Sequence, residues 1–308
     1  MTVKFLSSSS VRELCALLQI RPTKTLGQNF VTDQSTVKKI VSKIGDIDGK
    51  HVIEVGPGLG SLTLAILEQN ACVTAIEIDP TLAEALPATI VAHAEAVAGN
   101  LRILNEDALK VNGLEDLSKA LPVTESSCNF EGFGKDPEFL IANLPYNVSV
   151  PIILNILDKF PSIHTILVMV QLEVAQRLTA TVGNKIYGVP SLKLAWYGDA
   201  RMVGKIGTNV FWPVPNVESA LVLFERNVSE FVKDNESLRD VVFRIVDSAF
   251  GQRRKTLRQS LKALCEGVCE TDDLLAGANV SSSLRAENLV IDDYISIAKE
   301  YISLQSDS

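Results

Sequence analysis

Apolar positions recur along this chain in two rhythms. Short, mostly apolar runs at His51–Val55, Cys72–Ile78, Leu101–Leu104, Phe139–Ala142, Ile163–Val170 and Ser219–Glu225 have the length of strands. Runs of this kind, bounded by turn signals, read as buried strands. Between them, apolar residues return every three or four positions. That spacing predicts a helix over Val11–Ile20, opened by the capping-box pattern Ser10-Val11-Arg12-Glu13 and ended by Arg21-Pro22. It predicts further helices across Val37, Ile40, Val41 and Ile44, over Ser61–Glu68 and Pro151–Phe160, and one starting at Glu173–Leu178. Asn227–Lys233 reads as a domain boundary. Past it the pattern is helical only, over Leu238–Phe250, Thr256–Leu264 and Tyr294–Leu304. The organisation expected is an α/β domain over 1–228, with an N-terminal helical extension, and a small all-helical domain over 229–308. Residues 111–137, rich in Glu, Ser, Gly and Asp with weak periodicity, read as a surface insertion.

The chemistry concentrates where the run Phe139–Ala142 stops, at Asn143-Leu144-Pro145-Tyr146. Pro145 cannot continue a ladder, so the chain leaves the sheet there. An amide, a backbone carbonyl and an aromatic ring then share a strand's carboxyl edge, where open α/β sheets bind ligands. Such a group suits attack by a planar amino nitrogen. The exocyclic nitrogen of adenine is a poor nucleophile because its lone pair is delocalised into the ring. Two acceptors aimed at its hydrogens, the Asn143 oxygen and the Leu144 carbonyl, draw it toward tetrahedral geometry and localise that pair. Tyr146 adds a face for stacking. A plain strand–turn with a buried Tyr explains the same four residues, so the rest of the chain decides.

Three more strand ends carry suitable groups. Gly56-Pro57-Gly58-Leu59-Gly60 is a tight strand-to-helix loop that lets a ligand approach the backbone. It departs from the dinucleotide fingerprint, because Ser61 stands where a third Gly falls and Pro57 interrupts the first pair. A nicotinamide enzyme is thus poorly supported. Glu77 lies 21 residues beyond Gly56, the spacing at which an acid accepts both hydroxyls of a ribose. Asp107, past the third strand, is placed to accept from an adenine amino group. The loop has no Lys and no Walker pattern, which disfavours a triphosphate. S-adenosylmethionine fits the set. The segment Phe211-Trp212-Pro213-Val214-Pro215 is held rigid by its prolines. It either presents Phe211 to a base opposite Tyr146 or buries it in a hairpin.

Composition sharpens this in three places. With 46% apolar and 21% charged residues the chain is globular, and no run of 18 apolar residues offers a membrane span. Five Cys without C-x-x-C pairing and only three His disfavour a zinc site or disulfide framework and fit a reducing cytoplasm. The net charge of −8 is unevenly placed: residues 68–136 alone carry twelve acidic against four basic side chains. Residues 1–44 are net +5, as are residues 244–262, where Arg253, Arg254 and Lys255 open a helix as a candidate phosphate-binding cluster. Local potential governs association more than the total does.

Placed in order, these pieces resemble the ribosomal RNA adenine N6,N6-dimethyltransferase family (KsgA-type). The resemblance rests on G-Q-N-F at 27–30, E-V-G-P-G-L-G at 54–60, I-E-I-D at 76–79 and N-L-P-Y-N at 143–147. It continues in F-x-P-x-P-x-V-x-S at 211–219, F-x-Q-R-R-K-T at 250–256 and R-A-E-N at 285–288. It implies a Rossmann-like class I methyltransferase sheet of seven strands, one antiparallel, with a helical C-terminal domain. It implies cofactor contacts at Asn29, Val31, Gly56, Glu77, Asp107 and Asn143. The implied substrate is two adjacent adenosines near the 3′ end of small-subunit ribosomal RNA in an assembling 30S particle. The expected enzyme is a cytoplasmic monomer without metal or membrane. Val31 stands where Leu is usual, Asn105-Glu106-Asp107 replaces Gly-Asp, Glu218 stands where Asp is common, and the 111–137 insertion is long. Large-subunit adenine methylases share the fold and a similar turn, but Q-R-R-K-T and F-x-P-x-P favour the small-subunit reading. A ribosome-assembly factor with a vestigial site is opposed by the intact cofactor set.

Overall fold

Four strands dominated by buried apolar side chains form the middle of the main sheet. They are β2 (His51–Val55), β3 (Cys72–Glu77), β4 (Leu101–Asn105) and β6 (Phe139–Asn143). They pair in parallel in the order β4-β3-β2-β6, the arrangement that near-continuous apolar runs favour. In this computed structural model, residues 3–20, 29–124, 131–227 and 236–306 are described. Arg21-Pro22, the Gly27-Gln28 half of the first motif and most of the 227–233 boundary lie outside them.

The sheet extends beyond the expected seven strands. β7 (Thr165–Gln171) adds in parallel to β6, and β10 (Ser219–Arg226) pairs antiparallel with β7. β8 (Gly198–Ile206) closes that edge. At the other edge lies β5 (Leu121–Pro122), a two-residue strand antiparallel to β4. It comes from the 111–137 insertion and makes the sheet eight-stranded. A separate two-stranded sheet joins β1 (Phe30–Val31) to β9 (Phe211–Trp212).

Helices α1 (Ser8–Leu17), α2 (Gln34–Val41), α3 (Ser61–Glu68), α4 (Pro80–Ala94), α5 (Leu114–Leu117) and α6 (Ser149–Lys159) accompany these strands. α1 starts earlier than the capping-box pattern predicts: Ser7 is the N-cap and its hydroxyl accepts from the Ser10 N–H. The apolar stripe Val37, Ile40 and Val41 of α2 is buried as its period requires.

The chain divides into two compact units, Met1–Ala175 with Arg201–Arg226, and Gln176–Ala200 with Asn227–Ser308. This differs from a single cut after residue 228, because residues 176–200 belong with the C-terminal helices. The reason is aromatic burial. Trp196 and Tyr197 are almost fully buried and each meets Phe243 edge-on at 6.3 Å. The Tyr187 hydroxyl donates to the Leu289 carbonyl at 2.9 Å. Helix α7 (Leu172–Leu178) straddles the division, and the second unit also holds α8 (Val189–Ala195), α9 (Glu236–Gly251), α10 (Leu257–Ser260), α11 (Lys262–Cys265), α12 (Thr271–Gly277) and α13 (Ile291–Ser306). The helix expected over Thr256–Leu264 is thus two short ones. Arg253–Lys255 lies in the turn before α10, not within a helix.

Trp196→Ala should destabilise the protein by about 3–5 kcal/mol, the cost of emptying a large aromatic site. Denaturant unfolding reads the loss. Hydrogen exchange should then accelerate in both 187–197 and 238–250. Acceleration confined to residues beyond 236 would favour the single cut.

Candidate active site

The register of the parallel strands puts their polar ends in one row. Val55 pairs with Ile76 and with Ala142, and Glu77 pairs with Asn105. The residues that follow or end these strands, Gly56, Glu77, Asn105 and Asn143, therefore stand side by side at the carboxyl edge. An open cleft lies there. All six residues expected to contact the cofactor line it: Asn29, Val31, Gly56, Glu77, Asp107 and Asn143. Phe30, Ile76, Ile78, Ala108, Val148 and Ile152 also line it. Sequence reasoning left these out because apolar lining residues look like core.

The glycine loop is shaped by two approaches. At Gly58 (φ +58°) a Cβ would stand 3.0 Å from the Phe30 ring, and at Gly60 (φ +96°) 2.9 Å from Leu86 Cδ1. Any side chain there would push against the wall of the cleft or the packing of α3 on α4 while straining the backbone. Gly60 is also the N-cap of α3.

Glu77 is buried, at 4% exposure. Its Oε2 accepts from the Gly58 N–H at 3.1 Å and its Oε1 from the Asp79 N–H at 3.0 Å. Burial raises its pKa above the usual glutamate value, and these backbone N–H groups oppose the rise. Each oxygen keeps a further lone pair, enough for the two hydroxyls of a ribose. The Glu77 carbonyl is fixed in turn by Asn105 Nδ2 at 2.7 Å and the Glu106 N–H at 3.1 Å. Asn105, a departure from the family pattern, thus clamps the strand end. Asp107 uses Oδ1 to accept from the Leu109 N–H at 2.9 Å.

At the Asn143 turn, the Leu144 N–H reaches the Met169 carbonyl at 3.1 Å, one step past the end of β6. Pro145, with no N–H, stops the ladder there. Asn143 Nδ2 donates to the Asn29 carbonyl at 3.1 Å. The Asn143 oxygen and the Leu144 carbonyl accept nothing from the described residues. Tyr146 is half-buried, and its hydroxyl bonds the buried Ser219 hydroxyl at 2.9 Å. This contact joins the 143–147 and 211–219 motifs.

Phe211 is not brought to the cleft. It is 2% exposed, packs in the core and pairs with Val31 across β1 and β9. It offers no stacking face. The hairpin-like burial occurs, and its effect is to hold Asn29–Val31 over the glycine loop, assisted by the Thr32 N–H to the Val210 carbonyl at 2.8 Å.

The residues present fit S-adenosylmethionine. Ser61 Oγ lines the cleft yet is a buried polar atom with no partner, the mark of a place completed by a ligand. The N–H groups opening α3 suit a carboxylate. Among the described residues no group of three or more His, Cys, Asp or Glu is arranged to hold a metal ion. Nor is any helix long and apolar enough to cross a membrane.

In the second unit, the 250–256 and 285–288 motifs meet. Thr256 bridges Arg285 in antiparallel fashion, and the Leu257 N–H donates to the Leu284 carbonyl at 2.7 Å. Arg253 is tied down, with Nε 2.8 Å from Glu287 Oε2 and its guanidinium 2.6 Å from the Lys185 carbonyl. Arg254 and Lys255 are exposed, without a side-chain partner among the described residues.

Comparison with known proteins agrees with this geometry. A family model described as ribosomal RNA adenine dimethylase matches residues 20–303. The chain is 47% identical over 305 residues to a ribosomal RNA small subunit methyltransferase A of Bifidobacterium adolescentis, covering 96% of this chain and 93% of that protein. It is equally identical, over 296 residues, to the protein of that name from Thermobifida fusca, with 96% of each covered. Among solved structures, a dimethyladenosine transferase from Plasmodium falciparum superposes with a TM-score of 0.68 at 20% identity, over 89% of this chain and 98% of that one. The 23S rRNA methyltransferase ErmE does so at 0.59 and 21%, over 89% and 99%. These two likenesses show the fold alone.

One buried acid stands apart from the cleft lining. Glu54 on β2 is 1% exposed and both its oxygens lack partners, as does Thr63 Oγ1. Burial lifts its carboxyl from 4.5 to about 8; the nearby Thr63 hydroxyl opposes this without a well-directed hydrogen bond, and the Glu77 charge adds to it. Between those two values the folded chain keeps a proton that the unfolded chain has lost. Stability should therefore fall as pH rises from about 5 to 8, by up to ~1.4 kcal/mol per pH unit. Glu54→Gln should flatten that slope in denaturant titrations at both pH values. An unchanged slope would mean that Glu54 is ionised in the folded protein.

Proposed function

The chain belongs to the ribosomal RNA adenine dimethylase family and is an S-adenosylmethionine-dependent methyltransferase, and from that premise we propose how its own residues serve the reaction. The substrate in this reading is small-subunit ribosomal RNA. The N6 amino groups of two adjacent adenosines near its 3′ end are each dimethylated, within an assembling 30S particle in the cytoplasm, by a monomer. The relatives at 47% identity, named for the small subunit, support that choice over the large subunit.

S-adenosylmethionine supplies an electrophilic methyl group. Glu77 accepts the ribose hydroxyls, Asp107 accepts from the adenine amino group, and Gly56 with the opening of α3 receives the methionyl end. Asn29 and Val31 cover the cleft from β1. The target adenosine leaves its stack to reach the Asn143 turn, as base chemistry in a pocket requires.

The observation that carries the mechanism is the orientation of Asn143. Its amide nitrogen is engaged by the Asn29 carbonyl, which leaves its oxygen to accept. That oxygen and the Leu144 carbonyl then take the two hydrogens of the target amine, so the nitrogen presents a localised pair. The gain is positioning and electrostatics. No side-chain base is needed, because a methylated amine cation is acidic enough to lose its proton to water. A neutral amide also accepts the monomethylated amine, which permits the second transfer. The Tyr146 ring, anchored through Ser219, provides stacking worth ~1–3 kcal/mol. Asn143→Ala should lower turnover by about 10² or more at saturating cofactor and RNA, as when a transition-state hydrogen bond is lost. Near-normal turnover on unmethylated small-subunit particles, with large-subunit RNA as control, would sink this role.

The second unit serves RNA contact in this reading, through the cluster Arg253, Arg254 and Lys255. Arg253 is held in place by Glu287 and Lys185, while the other two stand ready for phosphates. Replacing Arg254 and Lys255 with Gln should flatten the salt dependence of particle binding by a slope of about 1.5, with the melting temperature and cofactor affinity unchanged. Arg253→Gln should cost up to about 1 kcal/mol of stability, the value of a partly exposed pair. Unaltered salt dependence in the double variant would remove the cluster from the RNA interface.

A further inference from the structure

Glu106, Asp107 and Ala108 line the cleft at the end where the adenine is placed above. Their loop has no regular structure; the Glu106 N–H ties its start to the Glu77 carbonyl at 3.1 Å, and past that point its own hydrogen bonds are local. Asp107 N–H reaches Glu106 Oε1 at 2.8 Å, Leu109 N–H reaches Asp107 Oδ1 at 2.9 Å, and Lys110 N–H reaches the Asp107 carbonyl at 2.8 Å. Such turns set the shape of the loop but not where that shape stands relative to the cofactor. A side chain outside the cleft lining does this. Asn155 of α6 donates through Nδ2 to the Ala108 carbonyl at 3.0 Å and to the Val111 carbonyl at 3.1 Å. The amide has two N–H bonds, one for each acceptor. Ala108 and Val111 are 5% and 0% exposed, so water is poorly placed to replace a lost donor.

The helix that carries Asn155 is itself part of the site. α6 follows the Asn143 turn directly, and Val148 and Ile152 line the cleft. Residues 148, 152 and 155 fall on one helical face. We infer that Asn155 is a positioning residue for cofactor recognition: it holds the 106–111 loop so that the Asp107 carboxylate meets the adenine amino group. Asn155 stands outside the cleft lining and acts through Asp107. This rests on the assignment of Asp107 to the adenine made above.

The test is a cycle of Asn155→Leu and Asp107→Ala, singly and together, in the full chain. Binding is measured calorimetrically for S-adenosylmethionine and for an analogue with hypoxanthine in place of adenine, which lacks the 6-amino donor. Asn155→Leu should weaken S-adenosylmethionine about tenfold, the scale of one displaced hydrogen bond, and narrow the preference over the analogue. In the Asp107→Ala background the same change should cost less than about twofold, because coupled residues are not additive. In turnover the loss should fall on KM for the cofactor and not on kcat, and hydrogen exchange should quicken at 107–111. If Asn155→Leu is too unstable to titrate, Asn155→Asp, equal in size but with no amide to donate, is read in the same way. Equal losses with and without the Asp107 carboxylate, or no loss, would overturn the inference while leaving Asp107 in place. A wild-type protein that binds both cofactors alike would remove Asp107 from the adenine, and the positioning role with it.

Discussion

The site depends on the register of parallel strands. Pairing of Val55 with both Ile76 and Ala142 leaves no choice about which residues come next at the sheet's edge. A glycine, a carboxylate and an amide emerge level with one another, each on a backbone tied to its neighbour. Parallel strands slipped by one residue would turn every side chain to the opposite face, so the apolar burial of the strands and the alignment of the polar groups are one constraint. Residues beyond these strands add to this row: Asn29 through its carbonyl, Asp107 through its loop, and Ser219, at the start of β10, through the tyrosine hydroxyl.

Polar groups are treated in two ways around that row. Glu77 is buried but supplied with backbone donors, which makes it a fixed acceptor with lone pairs to spare. Glu54, on the strand beside it, is buried without donors, and burial raises its pKa. Glu77 lies close enough for its charge to disfavour ionisation of Glu54. Burial thus favours the neutral form of Glu54, whereas Glu77 at the cleft has backbone donors for its carboxylate.

Much of this was legible along the chain. The short apolar runs ending in Gly56, Glu77 and Asn143 are a local pattern, and strands buried on both faces produce it wherever they occur. What escaped were features set by distant partners. β1 and β9 are two residues each and have no periodicity to read, so Phe211 could be taken for an exposed ring when it is a buried clamp. β8 mixes Asp199, Arg201 and Lys205 with small residues, as an edge strand does, which hides it from an apolar search. Residues 176–200 carry no boundary signal because their membership is decided by Phe243 and Leu289, far along the chain. Asn105 departs from the family pattern, and its bond to the Glu77 carbonyl follows from the pairing of β3 with β4, which no local pattern encodes.

The pairing of Val31 with Phe211 and of Phe30 with Trp212 also says something about the order in which the protein becomes competent. Nearly the whole of the first unit separates these partners in sequence, and closing so long a loop is among the slower events of folding. During synthesis the sheet row from Gly56 to Asn143 emerges well before residue 211. Until that residue emerges, the segment that covers the cleft and holds the Asn143 amide has no strand to lie against. The polar row at the sheet's edge is built early, but its cover is attached late.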